Sequence, residues 1–327
     1  MNRKDWHFVV YGYEIDYFNV MFADAVFEGN VEYVSNPVRY YSGSSLLSGL
    51  QKFCEHGRLK KVHHLDGLGV WRRWQIGDYA ECYKQLCFVF LMRWLKPENE
   101  QIFKLIRQRY PEAKIAVYLE DLYETGKNLD YTIADRYANL IISYDRNDAE
   151  AHGFLYYPTF LSAVDIQDAG SLPESDVTFC GAAKKRYSSI IQSYKVFKEA
   201  GLRCDFMVSR LLPGQNKIAG IDYIKYLISY KDYLRHVMRS DFILEIMQGN
   251  ATGYTLRTWE AILYDKVLLT DNKAILKAPF YNKDQFIYFE KPEDIDFSSI
   301  PRKVSHNSYA KELSPVKFFD FIISKIG

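Results

Sequence analysis

What most constrains this chain is an alternation, present in both halves, of short β-rich apolar runs with segments of helical period. In the first half His7–Tyr11 is such a run and breaks at Gly12. Gln85–Met92 reads as a buried strand, Glu98–Tyr110 has helical spacing, and Lys114–Leu119 is a strand that stops at Glu120 and Asp121. A helix near Thr132–Ala138, a strand at Leu140–Tyr144 and a short helix at Arg146–His152 follow, and Pro158 closes the apolar Phe154–Tyr157. Strand, helix, strand in that order predicts parallel pairing through a crossover.

The pattern restarts after residue 175. Asp176–Cys180 reads as a strand with Gly181 as its turn, Tyr187–Ala200 as a helix and Arg203–Val208 as the next strand. A helix over Tyr230–Arg239, a strand over Phe242–Ile246, a helix over Thr255–Tyr264 and a strand over Val267–Leu269 complete it. Between the halves, LSAVDIQDAGSLPES has small and acidic residues and no periodicity, as a linker does. The expectation is an α/β chain of two Rossmann-like lobes facing each other across a cleft. Their bounds read as 1–160, a linker at 161–175, and 176–314. The terminal segment 315–327, with Phe318, Phe319, Phe321, Ile322 and Ile323, reads as a helix returning to the first lobe. A chain of 327 residues is long enough for two cores.

Charge excludes one function class. There are 42 Lys plus Arg against 41 Asp plus Glu, so no global field favours wrapping nucleic acid, and any bound anion needs a local cluster. The five cysteines form no CxxC pair, which argues against a disulfide framework or a zinc knuckle and fits a reducing cytoplasm. Leu86–Leu95 is interrupted by Arg93 and too short to span a bilayer. Trp71-Arg72-Arg73-Trp74 pairs cations with aromatics, which leaves room for a peripheral contact with the inner face of the cell membrane as well as for a buried aromatic pair.

The most informative stretch is DFILEIMQGNATGYTLRTWEAILYDKVLLTDN, Asp241 to Asn272, in which a buried strand ends in a Gly-containing loop that opens directly into a helix. Such a helix start aims unpaired N–H groups, around Gly253, Tyr254 and Thr255, at the space beyond the strand ends, where a diphosphate gains hydrogen bonds and the helix dipole. Gly249 and Gly253 permit close backbone approach. Arg257 in the first turn adds a positive charge, and Glu260, three residues on, is placed to accept from ribose hydroxyls. Alternatively Arg257 and Glu260 form an i,i+3 ion pair on a helix capped by Thr255.

GYTLRTWEAILYDKVLLTDN, with DVTFCGAAKKRY and YLRHVMRSDFILEI upstream, resembles the donor-binding lobe of bacterial GT-B glycosyltransferases that build cell-surface polysaccharides. The resemblance covers about Ser143 to Tyr288. It implies a nucleotide-sugar donor, a glycan or lipid-linked acceptor, no cofactor and no metal. It also implies that Gly181, Lys184, Lys185 and Arg186 approach the diphosphate, that Tyr230 and Tyr233 lie beside the base, and that Glu260 holds the ribose. Retaining members carry a loop Glu eight positions before the helix Glu; Thr252 stands there and supplies no carboxylate. Rival readings are an epimerase or hydrolase of the same architecture and a catalytically silent scaffold.

Transfer with inversion needs a base near the acceptor hydroxyl. Acids at strand ends of the first lobe are candidates: Glu14 and Asp16, Asp66, and Glu120 or Asp121, with Asp16 and Glu120 ranked first by position. Asp294-Ile295-Asp296 is literally a DxD, but its setting in FEKPEDIDF reads as a helix start. His63 and His64 are adjacent and lack further ligands at metal spacing. No GxSxG, HExxH or GxxxxGK[ST] occurs, which removes support for serine hydrolase, zincin and P-loop readings.

Overall fold

A computed structural model of the chain describes residues 2–54, 71–80, 82, 84–123, 128–226, 228–248 and 253–327. The chain forms two compact units, one of Met1–Pro158 with Pro315–Gly327 and one of Thr159–Ser314. Each is a Rossmann-like α/β lobe built on a six-stranded parallel sheet.

In the first unit the strands are β1 (Trp6–Tyr11), β2 (Val31–Val34), β3 (Gln85–Leu91), β4 (Lys114–Leu119), β5 (Leu140–Ser143) and β6 (Leu155–Tyr156), in the order β2-β1-β3-β4-β5-β6. The central strands β1, β3 and β4 are buried almost throughout, which is why they read as continuous apolar runs. The direction of progression reverses between β1 and β3, and in open parallel sheets a crevice forms beyond the strand ends at such a reversal. Helices α1 (Asp16–Met21), α2 (Ala23–Phe27), α3 (Pro37–Ser42) and α4 (Ser45–Cys54) occupy the chain around β2. Helices α1, α2 and α3, of five or six residues, are too short for a period to register, and the sequence reading also passed over the ten-residue α4 and over β2, whose apolar run is interrupted at Glu32. Helices α5 (Glu100–Arg109), α6 (Thr132–Tyr137) and α7 (Arg146–His152) connect the later strands.

The last helix, α11 (Pro315–Ile326), packs on this first sheet. The Phe319 ring lies 4.7 Å from that of Phe8 on β1, and Phe318 lies 4.9 Å from Tyr118 on β4. Both phenylalanines are fully buried, each contributing about 1.5–3 kcal/mol of apolar burial.

In the second unit β7 (Ser175–Ala182), β8 (Cys204–Ser209), β9 (Asp222–Tyr223), β10 (Ser240–Glu245), β11 (Val267–Thr270) and β12 (Phe286–Tyr288) are ordered β12-β11-β10-β7-β8-β9. This is the dinucleotide-fold order, with its reversal between β7 and β10. Helices α8 (Tyr187–Glu199), α9 (Tyr230–Met238) and α10 (Leu256–Leu263) link the strands. Two details differ from the sequence reading. Ser175, expected in the linker, starts β7, and Gly181, expected as a turn, is an extended strand residue paired with Val208. Among the described residues no helix is long and apolar enough to cross a membrane.

Candidate functional site

In the second unit two guanidinium groups converge at the switch point. Gly181 occupies the end of β7, and a Cβ placed there would come within 2.9 Å of Arg186 Nη2 and 3.1 Å of Arg257 Nη2. Glycine at this position is therefore what lets both cations close in, a role in packing rather than in turning the chain. The guanidinium carbons of Arg186 and Arg257 lie 5.5 and 5.3 Å from the centre of the Phe179 ring, within cation–π range. Arg186 donates to the carbonyls of Ala182 and Ile246, and Arg257 to that of Cys180. Burial, and then the charge of Arg257, pull Arg186 down to about 10, so it remains a cation at neutral pH. Both arginines are half-buried. Two like charges held together in a partly dry crevice favour an anion between them.

Below the cations sit two buried carboxylates. Glu245, the last residue of β10, has no exposed surface and accepts from the hydroxyls of Thr255, Thr270 (2.5 Å) and Thr258 (3.5 Å). Burial raises its proton affinity against those hydrogen bonds and the charge of Arg257. Thr255 also caps α10 by accepting from the Arg257 amide at 3.2 Å, so Glu245 ties the helix start to the strand ends. Arg257 is held charged: burial works against it, and the Tyr233, Glu260 and Glu245 side chains outweigh that. Among the described residues its Nε is buried without a hydrogen-bond partner.

The structure corrects two expectations. Glu260 does not present a free carboxylate: it is 1% exposed, and its two oxygens accept from Tyr230 and Tyr233, each at 2.8 Å. A ribose could reach it only by displacing a tyrosine. Tyr230 and Tyr233 are themselves buried, so their rings belong to this hydrogen-bonded cluster and offer no open face to a base. Tyr254 packs edge-on against Trp259 and Phe280 at 5.6 and 5.0 Å. For Glu260, Tyr230 and Tyr233 the physical reason is shared, because α9 and α10 bury their apolar faces on the sheet and carry these side chains inward. Lys184 and Lys185 are exposed. Lys184, at φ 47°, donates to Gln248 at 3.3 Å. The carbonyl of Gly253 accepts from Asn272 at 3.1 Å. Gly249 and Thr252 lie outside the described residues.

In the first unit a second cluster occupies the corresponding place. Glu120 directly follows β4; its Oε2 accepts from the Met92 amide at 2.8 Å and its Oε1 from the Tyr13 hydroxyl at 2.7 Å. The Tyr13 oxygen in turn accepts from the Arg93 amide at 2.6 Å. Glu120 is half-buried, and burial pushes its carboxyl up to about 7 against the pull of these donors and of Arg93. A carboxyl that titrates near neutrality and keeps access to solvent suits general base work.

The other acids are less suited. Asp16 lies in the first turn of α1. Glu14 is paired with Lys52 at 2.7 Å, and that hydrogen bond holds its carboxyl below the usual range. Asp121 is exposed and accepts from the Leu122 amide. Asp66, His63 and His64 lie outside the described residues. Asp294 accepts from the Lys291 amide and Asp296 from Ser298, so the DxD acids serve turns. Trp71 is buried and packs with Val38, with Arg73 over the Trp74 ring at 4.8 Å. Sequence reasoning missed Glu245, Tyr13 and Arg93. An acid closing the apolar run DFILE was the available signal for the first; Tyr13 and Arg93 each sit two residues past the ends of β1 and β3, which position alone could have flagged.

No family model matches the sequence, and no curated protein matches it. Among solved structures the chain is similar to an alpha-glucosyltransferase in complex with UDP and a 13-mer DNA containing a central A:G mismatch. That alignment has 12% identity over 98% of this chain and 90% of that one, with a TM-score of 0.45. The spinosyn rhamnosyltransferase SpnG aligns at 9% identity over 98% and 91% of the two chains, with a TM-score of 0.41. The Glycosylation Associate Protein Gap123 complex from Streptococcus agalactiae aligns at 11% identity over 74% of this chain and 52% of that one, with a TM-score of 0.39. None of these likenesses assigns a residue or an activity to this chain.

Proposed function

We propose that this chain is a GT-B-like glycosyltransferase that moves a sugar from a nucleotide-sugar donor to a hydroxyl of a glycan or lipid-linked glycan, in the synthesis of a bacterial surface polysaccharide. The observation that carries the proposal is the convergence of Arg186 and Arg257 on Gly181 at the switch point of a sheet with dinucleotide-fold order. The sequence resemblance over residues 143–288 points the same way.

In this reading the donor diphosphate rests against the two guanidinium groups and the start of α10, with Lys184 and Lys185 at its edge. As the bond from the anomeric carbon to the phosphate oxygen breaks, its electron pair goes to the diphosphate, and the fixed cations stabilise that charge without a metal. A single displacement with inversion also needs a carboxylate to take the acceptor proton as the acceptor oxygen bonds to the anomeric carbon, and Glu120 is the acid of the first unit that we assign to that role. Glu260 has no direct part; with Tyr230 and Tyr233 it braces α9 against α10 behind Arg257.

The test is product analysis with UDP-, GDP-, ADP- and CMP-sugars, each with and without a bacterial lipid-linked glycan fraction. The proposal expects nucleotide release only when acceptor is present. Donor consumed without acceptor would instead identify a hydrolase or epimerase, and donor neither bound nor consumed would identify a silent scaffold.

A further inference from the structure

The loop after β1 is built around Tyr13 more elaborately than a surface turn requires. Tyr33 on β2 receives a hydrogen bond from the Tyr13 amide at 2.9 Å and donates to the Tyr13 carbonyl at 3.0 Å. Trp94 donates its indole N–H to the Gly12 carbonyl at 2.9 Å. A Cβ on Gly12 would come within 2.2 Å of the Tyr33 ring, so only glycine admits the clamp. The Tyr13 side chain is fixed as tightly as its backbone. Its ring packs edge-on against Phe18 at 4.9 Å, the Arg93 guanidinium lies 5.2 Å from its centre, and its oxygen accepts from the Arg93 amide. Tyr33 on β2 and Trp94 after β3 thus hold the backbone of this loop, the Arg93 amide holds the Tyr13 hydroxyl, and its single proton goes to Glu120 Oε1.

From this chain of donors we infer that Tyr13 is a positioning residue for the base: the Arg93 amide orients the hydroxyl, and the hydroxyl fixes the Glu120 carboxyl and tunes the pH at which it takes up a proton. The inference rests on the reading of Glu120 as the base. Bonded as it is, the Tyr13 proton has one acceptor, so the hydroxyl favours ionised Glu120 over its protonated form. Burial drives the carboxyl the other way, up to about 7, and Tyr13 is one of the groups that stop it there. Other titratable and charged groups that interact with the carboxyl are Tyr17, Tyr33, Tyr131 and the Arg93 cation, and Asp121 is its neighbour in sequence. Of these, Tyr13 is the side chain whose hydrogen bond to Glu120 is seen directly.

The experiment uses the full chain labelled with carboxyl-13C glutamate, with the Glu120 resonance assigned through Glu120→Gln. Its titration midpoint is followed in the wild type and in Tyr13→Phe, which removes one oxygen and leaves the ring. A midpoint near 7 that moves upward by about one pH unit in Tyr13→Phe supports the inference; an unmoved midpoint overturns it. That readout needs no activity, so it decides the role of Tyr13 whether or not transfer is found. Where transfer is measurable, the acid limb of kcat/KM should move with the resonance in Tyr13→Phe, whereas a merely structural role would lower the rate equally at every pH. Transfer that survives Glu120→Gln with its limb in place would refute the base reading, while the resonance would still report on Tyr13.

Discussion

Glu120 and Glu245 are the same residue type at strand ends near each sheet's switch point, Glu245 closing a strand of the reversal itself and Glu120 following the next strand out, and they differ in almost everything else. Glu245 has no exposed surface and is saturated by threonine hydroxyls from its own β-α-β unit. Glu120 is half-buried and held from a distance in sequence, by an amide after β3 and a hydroxyl after β1. Burial raises the proton affinity of both. The first arrangement makes a fixed strut under Arg257 and the start of α10; the second leaves a carboxyl able to exchange a proton with a bound molecule. Strand-end position nominates a residue, and its remaining hydrogen-bonding capacity and access decide its work.

The contrast can be broken most sharply at Glu120. Glu120→Gln should lower kcat for transfer about 10²–10⁴-fold and shift the melting temperature by no more than a few degrees, as steady-state kinetics and calorimetry on one preparation will show. Glu245→Ala should do the reverse in kind. It strands three threonine hydroxyls in a dry site and should cost about 3 kcal/mol in urea unfolding, and a variant as stable as the wild type would refute the strut.

A smaller effect is the pH dependence of stability. The folded Glu120 carboxyl titrates at about 7, above the ~4.3 of an unfolded glutamate, so between these values the folded state holds the extra proton. Its contribution is full below the unfolded pKa and is lost as pH rises through the folded one. With allowance for solvent screening, the wild type should lose about 1–2 kcal/mol between pH 5 and pH 8 relative to Glu120→Gln. Parallel denaturation curves across that range would show that the carboxyl is not perturbed.

Much of this was legible in the sequence, for reasons that also mark the limits. The long strands β1, β3, β4, β7 and β10 announce themselves because parallel strands covered on both faces must be apolar throughout. Strands β9 and β12 carry too few residues for a period to register, and β2 hides because Glu32 and Tyr33 interrupt its apolar residues. Arg186 and Glu120 were visible as charges after strands, and Arg257 as a charge in the first turn of a helix. The direction each side chain takes was not visible: Tyr230, Tyr233 and Glu260 read as ligand contacts, and the structure turns them onto one another, because a buried carboxylate needs donors and two tyrosines one turn apart supply them. Gly181 looked like a turn, since sequence cannot show that two arginines from elsewhere require its missing side chain.

The claim on which the account rests is that the paired guanidinium groups bind a diphosphate. Isothermal titration of the wild type and of Arg257→Ala with UDP, GDP and ADP tests it directly. The account predicts that at least one nucleotide binds the wild type, and that its affinity falls about ten- to a hundredfold in the variant, the worth of a lost charge-assisted contact. Binding of equal strength to both proteins, or of no nucleoside diphosphate to the wild type, would contradict it.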